Sequence, residues 1–177
     1  MRELALHLLD IAENSVSANA RNIHIEVFED YQNNRLYMSV TDDGRGMDAE
    51  TVAKVADPFI TSRTTRKVGL GIPLLKASAE ACNGCLTIQS QLQKGTRVTA
   101  TFEHGHIDRM PLGDIASTFI TLLIGSPEVH WIFTYRVNQS EFVFDDQEMK
   151  ATLDGVSMTE PAVLKFIREL ISEGIKE

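Results

Sequence analysis

The stretch Asp42-Asp43-Gly44-Arg45-Gly46 lies between a segment with the pattern of a strand and a segment with the pattern of a helix start. Residues 36–40 alternate as a half-buried strand does, and residues 48–51 resemble a helix cap and first turn. Because glycine has no side chain, the two glycines can adopt positive φ and let a ring or a phosphate approach the backbone. Ordinary turns also use Asp and Gly. The flanking elements favour a nucleotide-binding turn, in which Asp42 accepts a hydrogen bond from an exocyclic amino group such as that of adenine.

An amphipathic helix is predicted upstream of this turn, over residues 4–16. Asp10 and Asn14 lie one helical turn apart, so their side chains share a face. The Asn14 carbonyl oxygen suits Mg²⁺, and Asp10 can act as a base or as a partner of metal-bound water. A solvated polar stripe is the alternative for this helix taken alone. The stripe that faces the protein interior comprises Leu4, Leu8, Ile11 and Ser15.

Downstream of the turn, residues 61–67 are basic and rich in hydroxyl groups, with few apolar side chains to bury. This composition predicts a mobile lid over about residues 57–68. A helix is predicted over residues 72–82, and the glycines before it leave backbone N–H groups free for an anion such as a polyphosphate. We expect the lid cations to neutralise the γ-phosphate; they are Arg63, Arg66 and Lys67.

In this order, the segments resemble the motifs of the GHKL ATPases, the superfamily of gyrase B subunits, heat-shock chaperones, mismatch-repair ATPases and histidine kinases. The resemblance covers residues 1–103. Residues 57–59 are similar to the phenylalanine box of histidine kinases, and Gly95-Thr96 to the last box of the family. The resemblance implies that Asp10 is catalytic and that Asn14 binds the metal. It implies cofactor binding by Asp42, Gly44, Gly46, Met47, Phe59, Arg63, Arg66, Lys67, Gly69, Leu70, Gly71 and Thr96.

The fold that the resemblance implies is the Bergerat fold, an α/β two-layer sandwich in which helices cover one face of a mixed β-sheet. ATP and Mg²⁺ would bind between the helices and the lid. Strands are expected near residues 22–29, 35–41, 86–91 and 96–103.

The function predicted on this basis is slow ATP hydrolysis in a regulatory or conformational-switch role. The alternatives are a protein serine or threonine kinase resembling anti-sigma switch kinases, and a non-catalytic ATP-sensing module. Asp10 is one methylene shorter than the glutamate usual in the ATPases, and Lys67 replaces a glycine common in histidine kinases. The chain starts almost at the first helix, and none of its five histidines lies in a sequence resembling a phosphoacceptor helix. We therefore expect no autokinase activity.

Composition favours a protein of the cytoplasm. The chain has 177 residues, of which 43 % are hydrophobic, so it can bury a core in one compact domain. No signal peptide is visible, and the longest apolar stretch is too short to span a bilayer. A net charge of −8 disfavours a nucleic-acid surface. We therefore predict no membrane and no nucleic-acid partner.

Two short motifs are interpreted as structural. Cys82 and Cys85 form a lone CxxC, and zinc sites of this kind need a second pair. Asn83-Gly84 between the cysteines is typical of a left-handed helix cap. His104-Gly105-His106 could contribute to a metal site with Asp108, but the pattern favours a loop that leaves the last strand of the ATPase domain.

Residues 104–177 are predicted to form an α-β-β-α extension. The pattern indicates a helix over residues 111–124, a hairpin of strands near 129–137 and 142–144, and a last helix that begins at Pro161. The extension either continues the core sheet or docks a protein partner or a second copy of the chain.

Overall fold

The computed structural model describes residues 2–57 and 70–176. Local sequence signals set the element boundaries; for example, the Asp48 side chain accepts a hydrogen bond from the Thr51 amide and caps α2. In chain order the elements are α1 (Leu4–Ser17), β1 (Asn22–Asp30), β2 (Arg35–Asp42), α2 (Ala49–Val55), α3 (Gly71–Ala81), β3 (Cys85–Gln91), β4 (Gly95–Glu103), α4 (Ile115–Gly125), β5 (His130–Val137), β6 (Ser140–Asp145), α5 (Asp146–Leu153) and α6 (Pro161–Gly174).

The strands form one six-stranded mixed sheet in the order β3-β4-β2-β1-β5-β6. Only β1 and β5 pair in parallel; the other neighbours are antiparallel. In this register Ile23 of β1 lies between Asp42 of β2 and Trp131 of β5. The C-terminal hairpin therefore extends the same sheet that carries residues 42–46, the glycine turn.

One face of the sheet is buried beneath the helices. Along β1 the side chains of Ile23, Ile25 and Val27 are buried, and the residues between them are partly exposed. This period-two pattern matches a strand with one covered face. Helix α1 packs against both α3 and α4, and α4 packs against α6. The prediction of a mixed sheet covered on one face by helices is thus confirmed. No helix within the described part of the chain is long and apolar enough to cross a membrane.

The predicted strands and the C-terminal hairpin are confirmed within one or two residues. The predicted helix over residues 111–124 was wrong at its start, because α4 begins at Ile115. Gly113 has φ 80°, and the carbonyl groups of Pro111 and Leu112 accept hydrogen bonds from the first residues of α1. The predicted α-β-β-α order also lacked α5. This helix is eight residues long and largely polar, so it has little apolar periodicity to detect.

The local conformations predicted for the two short motifs, a left-handed helix cap and a loop after the last strand of residues 1–103, are confirmed. Asn83 has φ 53°, which is the left-handed cap expected after α3, and both cysteines are free. Cys82 is buried and Cys85 is exposed. His104 and His106 lie in the loop after β4, where His104 contacts Glu29 rather than a second histidine.

The glycine turn is wedged against the β3–β4 hairpin. Gly46 has φ +66°, and a Cβ there would lie 1.9 Å from the Gln91 carbonyl oxygen. Gly95 has φ +96°, and its Cβ would lie 1.9 Å from the Asp42 carbonyl oxygen. Gly44 does not have positive φ, but its Cβ would lie 2.9 Å from both the Cβ and the carbonyl oxygen of Ala18. The atoms that lie closest to these glycines in the structure therefore belong to the protein itself.

At the end of β1 that lies away from the glycine turn, the buried carboxylate of Glu29 connects β1 with β5 and with the loop after β4. Glu29 is 7 % exposed and accepts hydrogen bonds from the Tyr135 hydroxyl and from His104 Nε2, the latter at 2.5 Å. Burial raises the pKa of Tyr135, and the hydrogen bond and negative charge of Glu29 raise it further. Because the folded protein holds this proton more tightly than the unfolded chain, the contribution of Tyr135 to stability is fully present below about pH 10 and is lost as pH rises through its raised pKa.

Replacement of Tyr135 by Phe should therefore destabilise the protein at neutral pH and reduce its loss of stability in alkali. Removal of one hydrogen bond to a buried charge should cost about 1.5–3 kcal/mol in urea unfolding at pH 7. Between pH 9 and pH 11, the native protein should lose more stability than Tyr135→Phe. Tyr37→Phe is the control, because Tyr37 stacks on Phe28 away from Glu29. Parallel pH profiles for the native protein and Tyr135→Phe would contradict this assignment.

Replacement of Gly46 by Ala should destabilise the protein, because the new methyl group meets backbone atoms and the residue has positive φ. We expect a loss of more than about 1 kcal/mol in thermal or urea unfolding. Gly125→Ala at the end of α4 is the matched control, since nothing lies within 4 Å of its Cβ position. That variant should be neutral or slightly more stable. Equal melting temperatures for the two variants would show that the Gly46 contact is not a constraint.

Candidate nucleotide site

A cavity opens at the end of β2, below the glycine turn and beside α1. Five residues predicted to bind the nucleotide or its metal line it: Asn14, Asp42, Gly46, Met47 and Thr96. The remaining walls are mainly apolar and are formed by residues such as Ile11, Val55, Ile72 and Val98. A concave, mainly apolar pocket with a few fixed polar groups is typical of small-molecule sites.

Asp42 is the most constrained polar residue of the cavity. It is 9 % exposed, and Ser15 Oγ donates to its Oδ2 at 2.5 Å. The backbone amides of Gly44 and Thr96 donate to its Oδ1 at 2.9 Å and 3.2 Å. An ionised carboxylate offers about four acceptor positions. These three donors fill both positions on Oδ1 and one on Oδ2, so one acceptor position on Oδ2 is left for a ligand.

Ser90 contacts two of the residues that line the cavity next to Asp42. Its hydroxyl accepts a hydrogen bond from the Met47 amide at 2.8 Å and lies 2.8 Å from the Thr96 hydroxyl. The hydroxyl also donates to the Gly95 carbonyl at 3.0 Å. Ser90 therefore holds Met47 and Thr96 in the positions from which they line the cavity.

Asp10 lies beside the N-terminus of α3. A Cβ on Gly71 would be 3.0 Å from Asp10 Oδ2, so a side chain at that position would collide with the carboxylate. Asp10 is not among the described residues that line the cavity, whereas Asn14, one turn further along α1, is. The arrangement places a carboxylate, an amide and a helix N-terminus along one side of the site.

His7 precedes Asp10 by one turn and is buried, with 2 % of its surface exposed. Burial lowers the pKa of His7, and the negative charge of Asp10 partly opposes this effect. Its Nδ1 has no hydrogen-bond partner among the described residues. A neutral imidazole therefore packs behind Asp10.

Several predicted site residues lie outside the described residues, and the predicted lid falls there except for Asp57. These residues are Phe59, Arg63, Arg66, Lys67 and Gly69. Leu70 is exposed and directly precedes α3. Sequence reasoning missed Ser15 and Ser90 as site residues. Ser15 belongs to the inward stripe of α1, and a hydroxyl in that stripe was the signal for a buried polar partner.

The comparisons agree with this geometry. Residues 1–106 match the family model described as histidine kinase-, DNA gyrase B- and HSP90-like ATPase. The heme sensor protein HssS of Staphylococcus saprophyticus is 39 % identical over 66 residues, which cover 37 % of this chain and 14 % of that protein. The sensor histidine kinase YvrG of Bacillus subtilis is 28 % identical over 100 residues, which cover 54 % of this chain and 17 % of that protein. The matched part of the chain thus spans less than a fifth of the length of either relative.

Two solved structures share the fold. The ATPase domain of Aquifex aeolicus MutL, complexed with ADP, has a TM-score of 0.51 at 14 % identity and covers 82 % of this chain and 63 % of its own. The N-terminal domain of a DNA repair protein has a TM-score of 0.51 at 13 % identity and covers 81 % of this chain and 52 % of its own. At such identities the likeness concerns the fold alone. The shared fold agrees with the family match, which covers more than half of the chain. The family match shows that the chain belongs to the histidine kinase-, DNA gyrase B- and HSP90-like ATPases and carries their ATP-binding domain.

Proposed function

We propose that the chain binds Mg-ATP in the cavity below the glycine turn and hydrolyses it slowly in a regulatory role. The observation that carries this proposal is the Asp42 carboxylate, which keeps one acceptor position at a cavity that Asn14 also lines. With the 6-position of a purine towards Asp42, the amino group of adenine fits that position as a donor, whereas the oxygen of guanine would face a carboxylate oxygen. Adenine is therefore the base that this site accepts.

The phosphates would extend towards the N-terminus of α3. Free backbone N–H groups and the positive end of the helix dipole favour an anion there. Asn14, with its carbonyl oxygen, would hold Mg²⁺, and Asp10 would orient or deprotonate the attacking water. The contact between Gly71 and Asp10 supports this assignment, because it brings the proposed base to the proposed phosphate site.

The same proposal assigns different roles to the two parts of the chain. Residues 1–103 would form the nucleotide-binding part, and residues 104–177 would report its state to a protein partner or to a second copy of the chain. The parallel pairing of β1 with β5 supports this division, because it connects the extension to the strand next to the glycine turn.

Replacement of Asp42 by Asn should weaken ATP binding. Asn offers one acceptor oxygen instead of two and carries no charge, so the loss should be about 1.5–3 kcal/mol, or roughly 10- to 150-fold in Kd. Calorimetry with ATP and GTP provides the measurement, and the native protein should bind GTP poorly. Asp48→Asn is the matched control, since Asp48 caps α2 outside the cavity and Asn also caps helices well. Equal ATP and GTP affinities in the native protein would refute the adenine assignment.

Replacement of Asp10 by Asn should separate chemistry from binding. The amide keeps the size of the side chain but cannot take a proton, so ATP affinity should persist while turnover falls by about 10²–10⁴-fold. Asn14→Ala is the comparison: it should weaken Mg-ATP relative to metal-free ATP, because a metal ligand is lost. ADP release and calorimetry measure the two effects. Native-like turnover in Asp10→Asn would place the base elsewhere, and a native rate equal to background would favour a non-catalytic ATP sensor.

A further inference from the structure

Three side chains with metal-binding donors converge where β5 begins and where β6 passes into α5. His130 Nε2 lies 2.9 Å from Asp145 Oδ1 and 3.9 Å from Asp146 Oδ1. Within the described ranges, these residues form the one group of three His, Cys, Asp or Glu donors that lie within 4.8 Å of one another. None of them lines the nucleotide cavity. The group is therefore a separate candidate site.

The orientation of the His130 ring is set from outside the group. The Asn22 amide nitrogen donates to Asp43 Oδ2 at 2.6 Å, so its oxygen is turned towards His130 Nδ1, 2.9 Å away. An amide oxygen only accepts, so Nδ1 carries a proton. Nε2 then faces two carboxylate oxygens. A metal ion bound to Nε2 would lie within reach of both carboxylate oxygens.

The charges around this position favour a dication. Asp146 is fully buried; its Oδ2 lies 2.7 Å from Lys150 Nζ, and its Oδ1 accepts the Trp131 amide at 3.0 Å. Two carboxylates and one ammonium sum to a charge of about −1. The N-terminus of α5 opposes a cation with roughly half a positive charge. The net charge around Nε2 therefore remains negative, at about half an elementary charge, which favours a bound cation.

The donor set indicates the class of metal. Mg²⁺ and Ca²⁺ need six or more oxygen ligands, and this group offers one imidazole nitrogen and two carboxylates. That set suits a borderline transition metal, with water as a fourth ligand. Bonds of about 2.0–2.2 Å place tetrahedral donors roughly 3.4 Å apart, and the observed separations of 2.9 Å and 3.9 Å lie on either side of this value. Asn22 supplies the outer hydrogen bond that ligating histidines usually make.

We propose that His130, Asp145 and Asp146 bind one Zn²⁺ ion per chain. His130 and Asp145 are partly exposed, which gives the ion access from solvent, and Asp146 anchors it from the protein interior.

Calorimetric titration of the metal-free 177-residue chain with zinc chloride tests the proposal. The native protein should bind one equivalent, and His130→Gln should weaken binding by at least tenfold. His106→Gln is the matched control. His106 also lies near a carboxylate, with Nδ1 3.9 Å from Asp108 Oδ2, but it belongs to no three-donor group among the described residues. Absence of saturable zinc binding to the native protein overturns the proposal. Equal affinity in His130→Gln and the native protein also overturns it.

Asp145→Asn provides a second variant if His130→Gln fails to fold. Asparagine can still accept the Gln147 amide and cap α5, so the fold is preserved while a charged ligand is removed. Zinc should raise the melting temperature of the native protein and should raise that of Asp145→Asn less. An equal rise in both proteins would exclude this site. Because no nucleotide is present, the outcome is independent of the proposed ATP binding.

Discussion

The end of the molecule that carries the glycine turn depends on the hydrogen bonds to the Asp42 carboxylate. Burial of a charged group is costly unless donors replace its water. The donors come from three segments: the Ser15 hydroxyl of α1, the Gly44 amide of the turn and the Thr96 amide of β4. Helix, turn and strand must therefore keep their mutual positions for the carboxylate to remain satisfied. The cavity is the space left between segments that this one group holds together.

Contacts within the protein explain why glycine occupies positions 44 and 46. Positive φ and contact with the Gln91 carbonyl are enough to explain Gly46, and contact with Ala18 is enough to explain Gly44. Neither glycine needs a ligand to account for it. What distinguishes this turn from an ordinary one is the carboxylate of Asp42 and the residues that meet it across the sheet. The glycines therefore serve the packing of the turn, whatever else they contact.

The strands β1, β3 and β4 were expected as part of the fold that the family resemblance implies, whereas local periodicity was sufficient to predict β2, the C-terminal hairpin and most helices, because alternation and cap residues act over a few positions. It could not predict α5, whose sequence is largely polar, or the start of α4, which depends on hydrogen bonds to α1. The partners of Ser15 and Ser90 were also hidden. The group of His130, Asp145 and Asp146 depends on the β5–β6 register, in which Ile132 faces Asp145. Such contacts are properties of pairing, and a single sequence does not reveal them.

Asn22 links the glycine turn to the group of His130, Asp145 and Asp146. Although burial acts to raise the pKa of Asp43, hydrogen bonds from the Asn22 side chain and amide and from the Arg21 amide outweigh it, so the pKa is lowered. Asp43 therefore stays ionised at neutral pH and keeps the Asn22 amide turned towards His130. A ligand that restrains the glycine turn would also restrain this amide, and an ion at His130 would restrain the turn in return. If such coupling exists, its free energy must be the same in both directions. The first strand of the extension thus carries a side chain, His130, that is hydrogen-bonded to the residue that Asp43 orients.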